Sequence, residues 1–183
     1  MEPNQSPWPR EWLMTDERIG DRLWDAIEAL PEGAGIVFRH YVTPSDERTA
    51  FARRIADYCR QKGLTLAVAR DAALAESIDA QLIHNPLGGE HALPSSRSAH
   101  SLAEAESACK SGASLIFLAP IYATRSHPER PPLDRQVSRQ IVAACAVPVI
   151  ALGGMNRARF EELKSDGFYG WAGIDAWLDE IRT

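Results

Sequence analysis

The feature that most constrains the fold of this chain is a repeated alternation of short apolar runs with stretches of helical character. This alternation is typical of a parallel sheet covered by helices, and eight strands is the number that closes a barrel. The sequence therefore predicts a compact (β/α)8 TIM barrel of the α/β class. The candidate strands are 12–15, 35–39, 64–69, 80–84, 96–100, 114–118, 148–152 and 169–174, and the candidate helices are 18–30, 47–62, 72–77, 102–111, 133–145 and 157–164.

The length of the chain limits the connections between the strands and helices of that barrel. A (β/α)8 barrel usually has about 250 residues, whereas this chain has 183, so its connections must be short. An open doubly wound sheet is the competing architecture. However, no Gly-x-Gly-x-x-Gly follows the first candidate strand, which argues against a dinucleotide-binding fold. We expect an N-terminal extension over residues 1–11 and a single barrel domain over 12–183.

Composition restricts the partners of the protein. The net charge of −5 argues against nucleic-acid binding, and no apolar run approaches the roughly 20 residues of a membrane-spanning helix. The three cysteines, Cys59, Cys109 and Cys145, lack metal-ligand spacing, so reduced thiols in the cytoplasm are expected. Trp8 and Trp12 fit either a cover for the bottom of the barrel or the contact of a homodimer. The expected partner is a phosphorylated small molecule.

A pair of glycines, Gly153 and Gly154, follows the apolar run 148–152 and precedes the candidate helix 157–164. Without a β-carbon, backbone N–H groups can approach an anion closely, and the start of a helix adds further N–H donors. The pair therefore predicts a phosphate-binding turn. A tight strand-to-helix turn without a ligand is the alternative that this motif leaves open.

Five segments, taken in order, are similar to those of one family. They are Met14-Thr15-Asp16-Glu17-Arg18, Ser98-Ala99-His100-Ser101, the stretch from Ala119 to His127, Ala151-Leu152-Gly153-Gly154-Met155, and the stretch from Gly170 to Ala176. The chain resembles the thiamine phosphate synthase and TenI-like superfamily over residues 13–177. The resemblance implies a compact barrel that binds a thiazole phosphate and, in the synthases, a pyrimidine diphosphate.

The resemblance also implies roles for individual residues. Gly153 and Gly154, with the backbone near Gly173 and Ile174, would hold the thiazole phosphate. Four further positions match family residues that bind the diphosphate: Arg39, Ser98, Thr124 and Ser126.

Other positions depart from the family pattern. The glutamine and lysine that flank the arginine of the second strand are Val37 and Tyr41, and the Asn-Asp pair after the third strand is Ala69-Arg70. The second magnesium aspartate is absent from residues 84–89, and the lysine of the sixth-strand loop is His127. The family uses magnesium, but its carboxylate ligands are missing here, so we expect no metal site. We expect a cluster of cationic side chains in place of the metal, with Arg39 and His127 as its catalytic groups. The members of the cluster are Arg39, Arg70, Arg125, His127 and Arg130.

Three functions follow from this pattern. The leading one is formation of thiamine phosphate from thiazole phosphate and the pyrimidine diphosphate, with loss of diphosphate. The second is a TenI-like tautomerase, although Pro120 stands where that branch has a histidine; His100 and His127 are substitutes. The third is a non-catalytic binder that retains the phosphate turn without the chemistry.

Overall fold

The chain forms a closed barrel of eight parallel strands, so the predicted fold class is confirmed. The computed structural model describes residues 6–88, 91–126 and 128–179. The strands are β1 Glu11–Met14, β2 Gly35–Phe38, β3 Thr65–Ala69, β4 Leu82–His84, β5 Ser95–Ala99, β6 Leu115–Leu118, β7 Val149–Leu152 and β8 Gly170–Gly173. The helices are α1 Leu23–Glu28, α2 Ser45–Lys62, α3 Ala72–Ser77, α4 Leu102–Lys110, α5 Arg135–Ala144, α6 Arg157–Leu163 and α7 Ala176–Asp179.

All eight predicted strands and all six predicted helical segments occur, with ends that differ by a few residues. The segment predicted over 18–30 consists of a 3-10 helix, Glu17–Arg22, followed by α1. The 3-10 helix is itself interrupted at Gly20, whose backbone is non-helical with φ of 58° and ψ of −139°. Helix α7, described over Ala176–Asp179, was not predicted. No helix in the described part of the chain is long and apolar enough to cross a membrane.

Strand β1 closes the barrel because it pairs with β2 on one side and with β8 on the other. Trp12 lies inside, 0% exposed, with its indole nitrogen donating to the Pro9 carbonyl at 2.7 Å and its ring meeting Phe117 edge-on at 5.5 Å. A β-carbon on Gly35 would collide with that ring, so the bulky indole requires a glycine opposite it. Of the two predicted roles of Trp12, the cover for the barrel bottom is confirmed.

The helices are fixed by local caps that the sequence already indicates. The Ser101 hydroxyl accepts from the Glu104 N–H at 3.2 Å, and the Glu104 carboxylate accepts in turn from the His100 N–H at 2.7 Å. Helix α2 ends at Gly63, which adopts the left-handed conformation with φ of 64°. Within α2, Ile55 and Cys59 are buried against the sheet, and burial raises the pKa of the Cys59 thiol to about 12.

Because all strands are parallel, the residues that follow them lie at one end of the barrel, which we call the mouth. In (β/α)8 enzymes this end carries the active site. The described residues that follow β1, β2 and β3 are polar, whereas those after β7 and β8 are rich in glycine.

Candidate active site at the barrel mouth

The turn after β7 consists of two glycines in the left-handed conformation, with φ of 93° at Gly153 and 60° at Gly154. A β-carbon on Gly153 would lie 2.8 Å from the Pro120 Cα atom, and one on Gly154 would lie 2.5 Å from the Ala123 carbonyl oxygen. Both positions therefore exclude a side chain on two grounds, the backbone conformation and the space available.

The carbonyl groups of this turn all face protein donors. The Leu152 and Gly153 carbonyls accept from the N–H groups of Ile121 and Tyr122 at 2.9 and 3.0 Å, and the Gly154 carbonyl accepts from the Arg159 guanidinium. In the part of the chain that the structure describes, the N–H groups of Gly153 and Gly154 donate to no other protein atom. The turn therefore offers unused donors, as an anion requires.

The turn after β8 lies beside it. A β-carbon on Gly173 would be 3.0 Å from the Ala176 Cβ atom and 3.4 Å from the Met155 carbonyl oxygen, so the two turns touch. Behind Gly173, the buried rings of Trp171 and Trp177 stack at 4.8 Å, as expected for core residues. The four predicted phosphate-binding positions are thus brought together: Gly153, Gly154, Gly173 and Ile174.

The loop after β6 is bonded to residues that follow β8 and β1. Arg125 pairs with Asp175 at 2.8 Å, although the Arg125 side chain is 80% exposed, and exposed pairs stabilise by less than about 1 kcal/mol. The Ser126 hydroxyl accepts from Arg18 at 2.9 Å, and the Thr124 hydroxyl accepts from the Ser126 N–H at 3.3 Å. These contacts place the two predicted hydroxyl positions between the β1 loop and the β8 loop.

Arg39 is held by the end of β1. Its N–H and its Nε–H donate to the Oγ1 atom and the carbonyl of Thr15 at 2.9 and 2.8 Å, and its Nη2 lies 3.4 Å from Asp16. Burial lowers the pKa of Arg39, whereas Tyr41 and Asp16 raise it; an arginine nevertheless stays cationic in proteins. These bonds involve the Nε and Nη2 atoms of the guanidinium and leave Nη1 without a partner among the described residues.

Asp16 is the carboxylate that orients both Arg39 and Arg18. Arg18 binds it through two bonds, Nε to Oδ1 at 2.8 Å and Nη2 to Oδ2 at 2.7 Å. Burial alone would raise the pKa of Asp16, but the hydrogen bonds and charge of Arg18, with the charge of Arg39, hold that pKa below its ordinary value. A continuous polar chain therefore runs from Arg39 through Asp16 and Arg18 to Ser126.

A second polar group is built on His84, which lies at the end of β4 and is 2% exposed. Asn85 accepts from the Ser98 N–H through Oδ1 at 2.8 Å, so its other terminal atom is the amide nitrogen, a donor. That nitrogen lies 3.1 Å from both His84 Nε2 and the Ser98 hydroxyl. His84 Nε2 must therefore accept, and its Nδ1–H donates to the Ser96 hydroxyl at 3.0 Å.

His84 is consequently neutral and serves to position its neighbours. Burial, with the positive charges of Arg39 and Arg97, lowers the pKa of His84 to about 3. The Ser98 hydroxyl accepts from the Asn85 amide and lies 3.2 Å from the accepting His84 Nε2, so its hydrogen can be donated either to the imidazole or to a ligand. Asn85 adopts φ of 49°, a conformation that asparagine tolerates better than most residues.

Tyr41 and Arg70, two of the positions that depart from the family pattern, are in contact. The Arg70 guanidinium carbon lies 4.4 Å from the centre of the Tyr41 ring, and Tyr41 is 45% exposed. Arg70 has a left-handed backbone with φ of 68°, fixed by its N–H bond to the His84 carbonyl at 2.8 Å. That conformation costs a non-glycine residue about 1–2 kcal/mol, whereas an exposed cation–π contact returns about 0.5–1 kcal/mol.

The residues at the mouth do not fit a magnesium site. Magnesium prefers carboxylate oxygens, yet Ala69-Arg70 stands in place of the family's Asn-Asp pair, residues 84–89 contain no carboxylate, and the described residues contain no cluster of three potential metal ligands. Asp16, Asp71 and Asp175 are paired with arginines, and Glu17 accepts from the backbone and hydroxyl donors of residues 42 and 43.

The predicted site residues thus fall into three groups rather than one. The glycine turns form one group, Arg39 and Ser126 are joined through Asp16 in the second, and Ser98 lies with His84 and Asn85 in the third. His127 lies outside the described residues, so its catalytic role stays a prediction. Thr15, Asp16 and Asn85 were given no role from the sequence alone; the available signal was their position at the end of a candidate strand or directly after one.

The fold and the site together define a (β/α)8 barrel with glycine turns after its seventh and eighth strands, the arrangement typical of phosphate-binding barrel enzymes. Residues 12–177 match the family model described as thiamine monophosphate synthase. The chain belongs to this family, whose members are transferases of thiamine biosynthesis.

Known proteins of the same kind cover nearly the whole chain. A protein of Aquifex aeolicus (strain VF5) provisionally named thiamine-phosphate synthase 2 is 28% identical, over 93% of this chain and 98% of its own length. A thiamine-phosphate synthase of Chloroflexus aurantiacus is also 28% identical, over 91% of this chain and 84% of its own. The solved structure of a thiamine phosphate pyrophosphorylase from Pyrococcus furiosus shares the fold, with a TM-score of 0.78 and 24% identity over 91% of this chain and 86% of its own.

Proposed function

We propose that this protein joins a thiazole phosphate to a pyrimidine diphosphate and releases diphosphate. The observation that carries the proposal is the Gly153-Gly154 turn, whose N–H groups donate to no other atom of the described residues and which lies against the end of β8 at Gly173. Backbone donors of this kind recognise a phosphate monoester without a counter-charge from a side chain. The thiazole phosphate therefore binds on the β7–β8 side of the mouth.

The diphosphate binds on the opposite side in this proposal. The carbon–oxygen bond to the diphosphate breaks, the leaving oxygen takes the electron pair, and the thiazole supplies the electrons of the new bond to that carbon. Negative charge develops on the leaving group, so fixed donors that face it lower the barrier. Arg39 supplies a preoriented cation, and the hydroxyls of Ser98, Thr124 and Ser126 supply neutral donors.

Titration calorimetry and a product assay test the proposal. The full chain is titrated with thiazole phosphate and then with the pyrimidine diphosphate, and thiamine phosphate is measured after the two are mixed. Binding of both with product formation is expected. Binding of neither contradicts the proposed site, and binding of both without product leaves a non-catalytic binder.

A TenI-like tautomerase is the second candidate, and one contact favours it. His100 lies beside the segment where the tautomerases have their histidine, with Nδ1 2.7 Å from the Ala119 carbonyl. The Nδ1–H therefore donates to that carbonyl, and Nε2 is left as a base without a partner among the described residues. Turnover of a thiazole carboxylate phosphate that is lost in His100→Gln would favour this function over the synthase.

The remaining expectations about the setting of the reaction stay predictions. The partner is a phosphorylated small molecule, the location is the cytoplasm, and a homodimer is the expected assembly. Analytical ultracentrifugation of the full chain tests the last of these.

A further inference from the structure

The β2–β4 side of the mouth contains an arrangement that the family pattern does not supply. Tyr41 and Arg70 replace a lysine and an aspartate at positions that follow neighbouring strands, and the two replacements are in contact at 4.4 Å. An aromatic ring and a guanidinium in contact thus stand in place of an ammonium and a carboxylate.

The contact fixes where the new charge lies. The backbone of Arg70 is anchored by its N–H bond to the His84 carbonyl, and its guanidinium lies over the Tyr41 ring. Arg70 is exposed and has no carboxylate partner among the described residues. A guanidinium that rests on an aromatic face still presents its N–H edge in the plane of the group, where phosphate oxygens bind.

Arg39 provides a second cation on the same side. It lies two residues before Tyr41, and its bonds to Thr15 and Asp16 leave Nη1 unused among the described residues. Two guanidinium groups from adjacent strands carry together the charge of one divalent cation. In contrast to a metal ion, they bind phosphate oxygens without carboxylate ligands.

We propose that Arg70, held on Tyr41, acts with Arg39 in place of a divalent cation, so that the mouth binds pyrophosphate as the bare anion. The inference rests on the diphosphate side of the proposed function. It makes Tyr41 a positioning residue, because its ring orders the arginine without contacting the anion itself.

Calorimetric titration of the full chain with inorganic pyrophosphate tests the proposal. In EDTA the wild-type protein should bind pyrophosphate, and added magnesium should leave the apparent affinity equal or lower, since magnesium competes for the anion. Arg70→Ala should weaken binding in EDTA by about 10-fold or more, and Arg70→Lys by less. Arg53→Ala removes the same charge from the exposed face of α2 and is the matched control, with affinity expected to be unchanged.

The aromatic partner is tested in the same assay. Tyr41→Phe keeps the ring and should bind like the wild type, whereas Tyr41→Ala should weaken binding by about 3-fold. Thermal unfolding of each variant verifies that the fold is retained.

Three outcomes overturn the proposal: no binding in EDTA, binding that rises about 10-fold with magnesium, or equal affinities for Arg70→Ala and Arg53→Ala. Its failure is separable from that of the proposed function. If the protein forms thiamine phosphate only with magnesium, the proposed function stands and this inference is refuted. If it binds pyrophosphate without metal but forms no product, this inference stands and the proposed function is refuted.

Discussion

The two sides of the barrel mouth differ in the groups available to bind an anion. After β7 and β8 the donors are backbone N–H groups, and the side chains there are reduced to glycine. After β2, β3 and β4 the groups are side chains, and the left-handed residues Arg70 and Asn85 keep theirs. A site made of backbone tolerates a change of almost any residue other than its glycines. A site made of side chains changes its chemistry with each substitution, and the departures at Tyr41, Ala69-Arg70 and residues 84–89 lie on that side.

The largest expected effect is a loss of thiazole phosphate affinity at the glycine turn after β7. Gly154→Ala places a β-carbon 2.5 Å from the Ala123 carbonyl oxygen and displaces the turn. We expect affinity for thiazole phosphate to fall by about 100-fold, since one or two bonds to a charged group are lost at about 1.5–3 kcal/mol each. Titration calorimetry measures the change.

The matched control for this variant is Gly63→Ala. Gly63 has nearly the same φ, 64° against 60°, but a β-carbon there meets no atom within 4 Å. Gly63→Ala should lose about 1–2 kcal/mol of unfolding free energy from its left-handed backbone alone. Gly154→Ala should lose more, because its β-carbon also collides with the Ala123 carbonyl, and only Gly154→Ala should lose affinity. Equal affinities would show that the turn is structural only.

The next effect concerns the side-chain half. Arg39→Ala removes a cation that Thr15 and Asp16 orient, so kcat/KM for the synthase reaction should fall by about 30-fold or more. Arg39→Lys should be intermediate, because one ammonium cannot reproduce both the Thr15 bond and the ligand contact.

Affinity for thiazole phosphate should be unaffected by either Arg39 variant, and this distinguishes the two halves. Arg22→Ala, which removes an exposed arginine of the 3-10 helix, is the control. A loss of thiazole phosphate affinity in Arg39→Ala would mean that the halves are not independent.

The smallest expected effect is on the pH dependence of the unfolding free energy, through His84 on the side-chain half of the mouth. His84 has a folded pKa of about 3, below its unfolded value of about 6.5, so its stabilising contribution is complete above pH 6.5 and is lost as the pH falls toward 3. Between pH 7 and 5.5 the unfolding free energy of the wild type should fall by about 1 kcal/mol more than that of His84→Gln.

Urea denaturation at the two pH values measures this difference, with His91→Gln as the control. If the wild type and His84→Gln show the same pH dependence, the imidazole is not neutral in the folded protein, and the assignment of Asn85 as its donor is wrong.

Much of the barrel could be predicted from the sequence because its signals are local. Apolar runs marked all eight strands, and residues such as Ser101 and Gly63 marked helix ends through bonds within a few residues. The glycine turn was predictable for the same reason. The link from Arg39 to Ser126 was not, since it runs through Asp16 and Arg18, and Arg18 and Ser126 are 108 positions apart along the chain. The tautomer of His84 likewise depends on Asn85 and Ser98, which only the closed barrel brings together.

Strand β1 gives the two ligand sites a common dependence. Its Thr15 holds Arg39, while the Arg10 carbonyl just before it accepts from the Trp171 N–H at 2.7 Å, on the strand that leads to Gly173. If β1 detaches, both halves of the mouth are lost in one opening event. Ligands that bind only the closed barrel lower the population of that open state. Either ligand should therefore slow hydrogen exchange along the same four-residue strand.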